Sequence, residues 1–158
     1  LGQYQGGLFL GGANSIPTDH ALVGSQAAAR IRPLNVEGTP SPGGRIVVLV
    51  VGGAIAAQVA CSPSSTTECP DRSFLGQAAA DPALDPAVVF VNGARFNTPY
   101  QAWTTPSGSA YPGLLNVLLP AAGVSAAQVQ AAWIHLHSTN PIATLPSGRS
   151  RAASVCTL

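Results

Sequence analysis

The sequence predicts a three-layer α/β domain on a parallel sheet of at least three strands. The first of three observations is Arg45 to Ala57, RIVVLVVGGAIAA, where six apolar residues, Ile46 to Val51, end at Gly52-Gly53. A short run rich in Val and Ile and bounded by glycines reads as a strand buried on both faces. The second is that two later runs have the same character: AVVFV at 87–91, closed by Asn92-Gly93, and AAWIHLH at 131–137. The third is that helical patterns separate the runs, which implies βαβ units and parallel pairing. Strands are therefore expected at 45–52, 87–92 and 131–137.

In chain order, residues 1–16, LGQYQGGLFLGGANSI, read as a glycine-rich loop with Tyr4, Leu8 and Phe9 tucked in. Pro17-Thr18-Asp19 marks a helix start, with Thr18 or Asp19 near the cap. Ala21, Leu22, Ala28, Ala29 and Ile31 supply an apolar face, and the helix is expected to run through Arg32 until Pro33 stops it. NVEGTPSPGG at 35–44 is a turn-rich connection. After the first strand, Ala54 to Ala60 continues as a helix and Ser73 to Ala80 forms a second. Asp81-Pro82 and Asp85-Pro86 break the chain before the second strand. Residues 95–112 read as loop anchored by Trp103 and Tyr111, followed by a short helix over Gly113 to Leu119 and a turn at Pro120 to Gly123. Ser125-Ala-Ala-Gln128 fits a capping box and so a helix start. Beyond Ser138 the chain is polar and turn-rich, with a helical stretch at 149–155. The sheet so assembled leaves an edge strand unprotected, which calls for more chain or a second copy to cover it.

Composition narrows the function classes. The chain has 158 residues, 46% hydrophobic and 8% charged, against an ordinary charged share of about 25%. It contains no Lys and no Met, its seven positive charges are all Arg, and its net charge is +1. The arginines are dispersed, with no basic stripe, so nucleic acid is not an expected partner. No apolar run reaches the ~18–20 residues that a membrane-spanning helix needs. The N-terminus reads as a mature end after processing, or as that of a fragment. A surface this poor in charge favours association.

Three cysteines are present. Cys61 and Cys69 bracket SPSSTTE without the spacing of a zinc site. A local disulfide is the favoured reading, with two exposed thiols as the alternative. The disulfide would imply an oxidising compartment, extracellular or periplasmic. Cys156 is left as a free thiol or as a partner for a cysteine elsewhere.

Ligands in open α/β sheets bind past the carboxyl ends of the strands. The candidate site is therefore at Gly52, Gly53 and Ala54 and at Asn92 and Gly93. None of the first three has a side chain that can attack, donate or accept. His135 and His137 lie two apart on the third expected strand, so both rings face one side. With His20 they could form a three-histidine metal site; the plainer reading is a polar pair at a strand end. Asp19-His20 could be a catalytic pair, but without a nucleophile its expected role is capping and packing against the glycine-rich loop. Ser62, Ser64, Ser65, Thr66 and Thr67 offer hydroxyls, and a solvated loop is the simpler account of them. No cofactor is expected: the glycine pairs lack the GK[ST] of a phosphate loop.

Several stretches together resemble a family of secreted bacterial proteins of the SGNH/GDSL-hydrolase type. They are YQGGLFLGGANSIPTDH at 4–20, ARIRPL ending the first helix, GRIVVLVVGG at 44–53 and DPALDPAVVFVNGA at 81–94. YQAW at 100–103 and LLPAAGVSAAQVQAAWIHLH at 118–137 complete the set. The resemblance covers nearly the whole chain and corresponds to the N-terminal half of the family domain. It implies an SGNH/flavodoxin-like fold and one domain, or part of one, over 1–158.

The resemblance also implies a Gly-Met-Ser-Asn turn after the first strand, with serine as nucleophile. Here the turn reads Gly52-Gly53-Ala54-Ile55, and alanine cannot attack. After the second strand the family's Asp-Gly-Ala is followed by Gly-Gly-Gln. Here Asn92-Gly93-Ala94 keeps the shape, but Phe96-Asn97-Thr98 replaces the glycine pair. The half that would carry the family's catalytic histidine lies outside the resemblance. The expected function is thus that of a secreted, non-catalytic domain acting by self-assembly or binding, as a homo-oligomer and in the extreme as an extracellular fibre. The alternative is a hydrolase of esters or glycans that uses a displaced nucleophile or a metal-bound water at the histidines.

Overall fold

The computed structural model describes residues 8–61, 69–104 and 108–136. The chain divides into two compact units, Leu1–Arg32 and Pro33–Leu158.

In the first unit, a 3-10 turn at Leu10–Gly12 precedes helix α1, Thr18–Ala28. Gly11 and Gly12 sit at φ 75° and 76°, the left-handed region that favours glycine. This lets the chain double back, and the Leu8 and Phe9 N–H groups both donate to Ala13 O, at 3.1 and 3.0 Å. The N-cap position of α1 is Pro17, with no side-chain cap, so neither Thr18 nor Asp19 caps the helix as expected. The helix also stops four residues before Arg32. Arg30 N–H and Ile31 N–H reach back only three residues, to Ala27 O and Ala28 O. Arg32, which precedes Pro33, is disfavoured in helical backbone, and its Nε donates to Arg30 O at 3.1 Å.

The second unit is a three-layer α/β fold. Its strands are β1 (Ile46–Gly52), β2 (Val88–Asn92) and β3 (Val129–His135). They form a three-stranded sheet in the order β2-β1-β3, and both pairings are parallel. Val47 and Leu49 face one core with Val91, Trp103, Leu114 and Leu119. Val50 faces the other with Ala56 and Ala60. The run Ile46–Val51 is apolar throughout because both faces of β1 are covered.

Helices α2 (Ala54–Cys61) and α3 (Phe74–Ala80) carry the chain from β1 to β2 on the Val50 side. On the Leu49 side the return runs through α4 (Gln101–Thr104), α5 (Ala110–Gly113), a π-helical turn at Leu114–Leu118 and α6 (Leu119–Ala121). The two crossovers run in opposite directions on opposite faces, so they share one hand, as parallel connections require. Residues 95–112 are therefore more helical than expected. Trp103 is buried, but Tyr111 is 47% exposed and lies outside the buried core. The expected turn at 120–123 is helical as far as Ala121, and Gly123 makes the exit at φ 70°.

Two side-chain devices set the ends of the elements. Ser73 Oγ accepts from Gly76 N at 3.2 Å and donates to Pro70 O at 2.6 Å, so one buried hydroxyl caps α3 and ties it to the preceding turn. The capping box at Ser125 and Gln128 is present, but it opens a single 3-10 turn, Ala126–Gln128, and not a helix. β3 then begins two residues earlier than expected. The same pair leaves its turn: Ser125 Oγ donates to Val36 O and Gln128 Nε2 to Leu34 O, both at 2.6 Å. The connection at 33–44 is thus stapled to the start of β3.

Cys61 and Cys69 are disulfide-bonded, with Cα atoms 5.0 Å apart. A Cys61→Ser/Cys69→Ser double variant is expected to lose about 2–3 kcal/mol in urea unfolding, the loop-closure freedom returned to the unfolded chain. A change under about 0.5 kcal/mol would refute that estimate.

Candidate functional site

The carboxyl ends of the strands converge as the sequence predicts. Gly52 pairs with His135 across β1 and β3. The turn after β2 is tied onto β1 by two backbone bonds, Gly93 N–H to Val50 O at 2.8 Å and Arg95 N–H to Gly52 O at 3.1 Å. Asn92 Oδ1 accepts from Ala94 N at 3.1 Å and holds that turn in shape. Gly52, Gly53, Ala54, Asn92, Gly93 and His135 therefore belong to one edge of the sheet.

Close packing explains Gly52 and Gly93. A Cβ at Gly52 would run into the His135 carbonyl and lie 2.7 Å from Ala56 Cβ. A Cβ at Gly93 would lie 3.0 Å from Leu114 Cδ1 and 3.2 Å from Val50 O. Ala54 follows, half-buried at the start of α2. Its methyl has no acid, base or nucleophilic chemistry.

The other candidates divide. His135 is half-buried at the end of β3, its ring 6.4 Å from that of Trp133. His20 belongs to the first unit, where its ring meets Phe9 edge-on at 5.7 Å. That is packing against the glycine-rich loop. His137, Cys156 and the Ser62–Thr67 hydroxyls lie outside the described residues. Among the described residues, no group of three or more His, Cys, Asp or Glu side chains is placed to hold a metal ion.

A pocket of about 400 Å³ opens beside the Asn92 turn. Its lining includes the Cys61–Cys69 disulfide, Leu75, Leu118, Phe96, Asn92 and Arg95. β2 ends at Asn92 and the turn after it carries Arg95, α2 and α3 supply Cys61 and Leu75, and the π-helical turn supplies Leu118. Asn97, at φ 55°, turns the chain after Phe96, a conformation that asparagine tolerates better than most residues. Phe96 is where the sequence departs from the family's glycine pair, whereas Arg95 and Leu118 are not marked by any motif in the sequence. The only signal for Arg95 was a cation directly after a strand-end turn.

These features define a three-layer α/β domain with a strand-end pocket and no nucleophile on the turn that follows β1. No family model, curated protein or solved structure matches the chain. No helix among the described residues is long and apolar enough to cross a membrane.

Proposed function

We propose that the chain is a secreted, non-catalytic domain of SGNH-hydrolase type that works by self-association through the edges of its sheet. The non-catalytic half of this reading rests on Gly52-Gly53-Ala54 at the place where the resemblance puts a serine nucleophile. The extracytoplasmic half rests on the Cys61–Cys69 disulfide.

One observation carries the association: β3 is an outer strand of the described sheet, and its Trp133 and Ile134 are 40% and 44% exposed. Adjacent residues of a strand point to opposite faces, so both faces of this outer strand present bulky apolar groups. Because the sheet is all-parallel, β3 of one copy against β2 of the next continues it in the same direction. That contact joins two different surfaces, so it builds a filament unless the rotation between copies closes a ring. A β3–β3 contact would instead be antiparallel and closed by a two-fold axis.

Light scattering and negative-stain microscopy of the purified chain test this. Large particles or fibres are expected. Ile134→Lys, which puts a charge on the edge, should weaken association by about tenfold or more. A monodisperse monomer at high concentration overturns the reading.

The position of His135 beside Gly52 favours one second reading, a hydrolase with its nucleophile elsewhere. Turnover of a short acyl ester, lost in His135→Ala or His137→Ala, would put that reading in place of the first.

A further inference from the structure

We propose that the pocket beside the Asn92 turn binds an apolar molecule that carries a carboxylate, with Arg95 holding the carboxylate. The inference rests on the reading of the strand ends as a non-catalytic site. It does not depend on how copies associate.

The argument begins with Arg95. Its backbone is fixed by the bond from its N–H to Gly52 O, at 3.1 Å. Its guanidinium lies over Gly113, where an added Cβ would be 2.8 Å from one terminal nitrogen and 3.3 Å from the other. Gly113 thus provides a flat seat for the planar group. The side chain is half-buried. Yet its guanidinium makes no hydrogen bond or ion pair with any of the described residues. A guanidinium has five N–H donors and no acceptor, and their geometry matches the two oxygens of a carboxylate.

The rest of the lining fits such a ligand. The Asn92 amide oxygen accepts from Ala94 N–H, and the amide's NH2 group has two donors to offer. Among the described residues of the lining, no side chain is acidic. The described polar side chains of the pocket, Asn92 and Arg95, therefore both offer donors, which suits an anion. Leu75, Leu118, Phe96 and the disulfide make the remaining wall, and these suit hydrocarbon. A volume of about 400 Å³ lies in the range of small-molecule sites. A phosphate or sulfate would use the donors but leave the apolar wall empty, whereas a monocarboxylate with a short alkyl chain uses both.

Isothermal titration of the full chain with octanoate, and with neutral octanamide as its isostere, tests the proposal. Octanoate should bind, and octanamide should bind about tenfold more weakly or worse, because it lacks the charge that a guanidinium prefers. Arg95→Gln should weaken octanoate binding by a similar factor, with the circular dichroism spectrum and thermal midpoint unchanged. Absence of octanoate binding overturns the proposal, as does equal binding of the two ligands. Unaltered binding by a folded Arg95→Gln chain does the same. The ligand comparison on the unmodified chain keeps the test decisive even if the variant does not fold. Turnover of an octanoyl ester would overturn the non-catalytic reading alone, and particle size measured on the same samples reports separately on association.

Discussion

Leu114→Ala is expected to lower the unfolding free energy by about 2–5 kcal/mol. Leu114 is 1% exposed and among the largest fully buried side chains. It lies in the core beneath the Leu49 face of the sheet, with Val91, Trp103 and Leu119. Its Cδ1 also fills the space beside Gly93, where an added Cβ would lie 3.0 Å away. Truncation removes the transfer energy of the lost carbons and leaves a cavity under the Asn92-Gly93 turn. Collapse into that cavity is resisted on two sides: Gly93 is bonded to Val50, and Leu114 begins the π-helical turn. Small domains have only about 5–15 kcal/mol in all, so the loss is a large share of the total. Val117→Ala on the same turn is the control. Val117 is 60% exposed, and its truncation should change stability by about 0.5 kcal/mol or less. Urea unfolding of the two variants decides the matter. A loss at Leu114 below about 1 kcal/mol would show that this core does not hold the turn.

The parts of this fold that the sequence announces are those whose pattern is fixed by burial on both sides. β1 is legible because Ile46 to Val51 have no polar face to offer, and Gly52-Gly53 closes the run. The parallel pairing follows, and with it the common side on which the three strand ends lie. The Cys61–Cys69 bridge is legible from its spacing and setting. The helical return between β2 and β3 is less so, because Pro112, Gly113 and Pro120 look like breakers. In the structure Pro112 lies in the first turn of α5, where no N–H is needed, and Pro120 is at the start of α6. The π-helical turn lies just ahead of Pro120, and Leu119 N–H reaches Leu114 O across a widened turn. Sequence pattern gives no sign of such a widening. The Ser125–Gln128 box is a local signal that a helix and a single 3-10 turn satisfy equally well, so it could not say which would follow. Arg95 was missed for a different reason. Its interest lies in what its guanidinium does not pair with, and no linear pattern encodes that.

Gly52→Val is expected to be comparably damaging to the loss of Leu114, by the opposite route. The obstacles at Gly52 are the His135 carbonyl on β3 and Ala56 Cβ on α2, the latter 2.7 Å from the added Cβ. One is backbone and the other has no rotamer to change, so neither can swing aside. Relief requires β1 and β3 to part, or α2 to lift off the Val50 face. Overpacking of this kind typically costs about 1–3 kcal/mol and occasionally more. Valine's two further methyl groups at a strand end that pairs with β3 and faces α2 place this variant at or above the top of that range. Gly24→Ala is the contrast. Gly24 lies inside α1, and a Cβ there meets nothing within 4 Å. Helix propensity alone then predicts a gain of about 0.5–1 kcal/mol for that unit. If thermal melts show the two substitutions to be alike, the close approach at Gly52 is not the constraint. If they differ as expected, the glycine is there because two elements meet over it. The two residues that follow it, Gly53 and Ala54, add no side chain able to do chemistry to this end of the sheet.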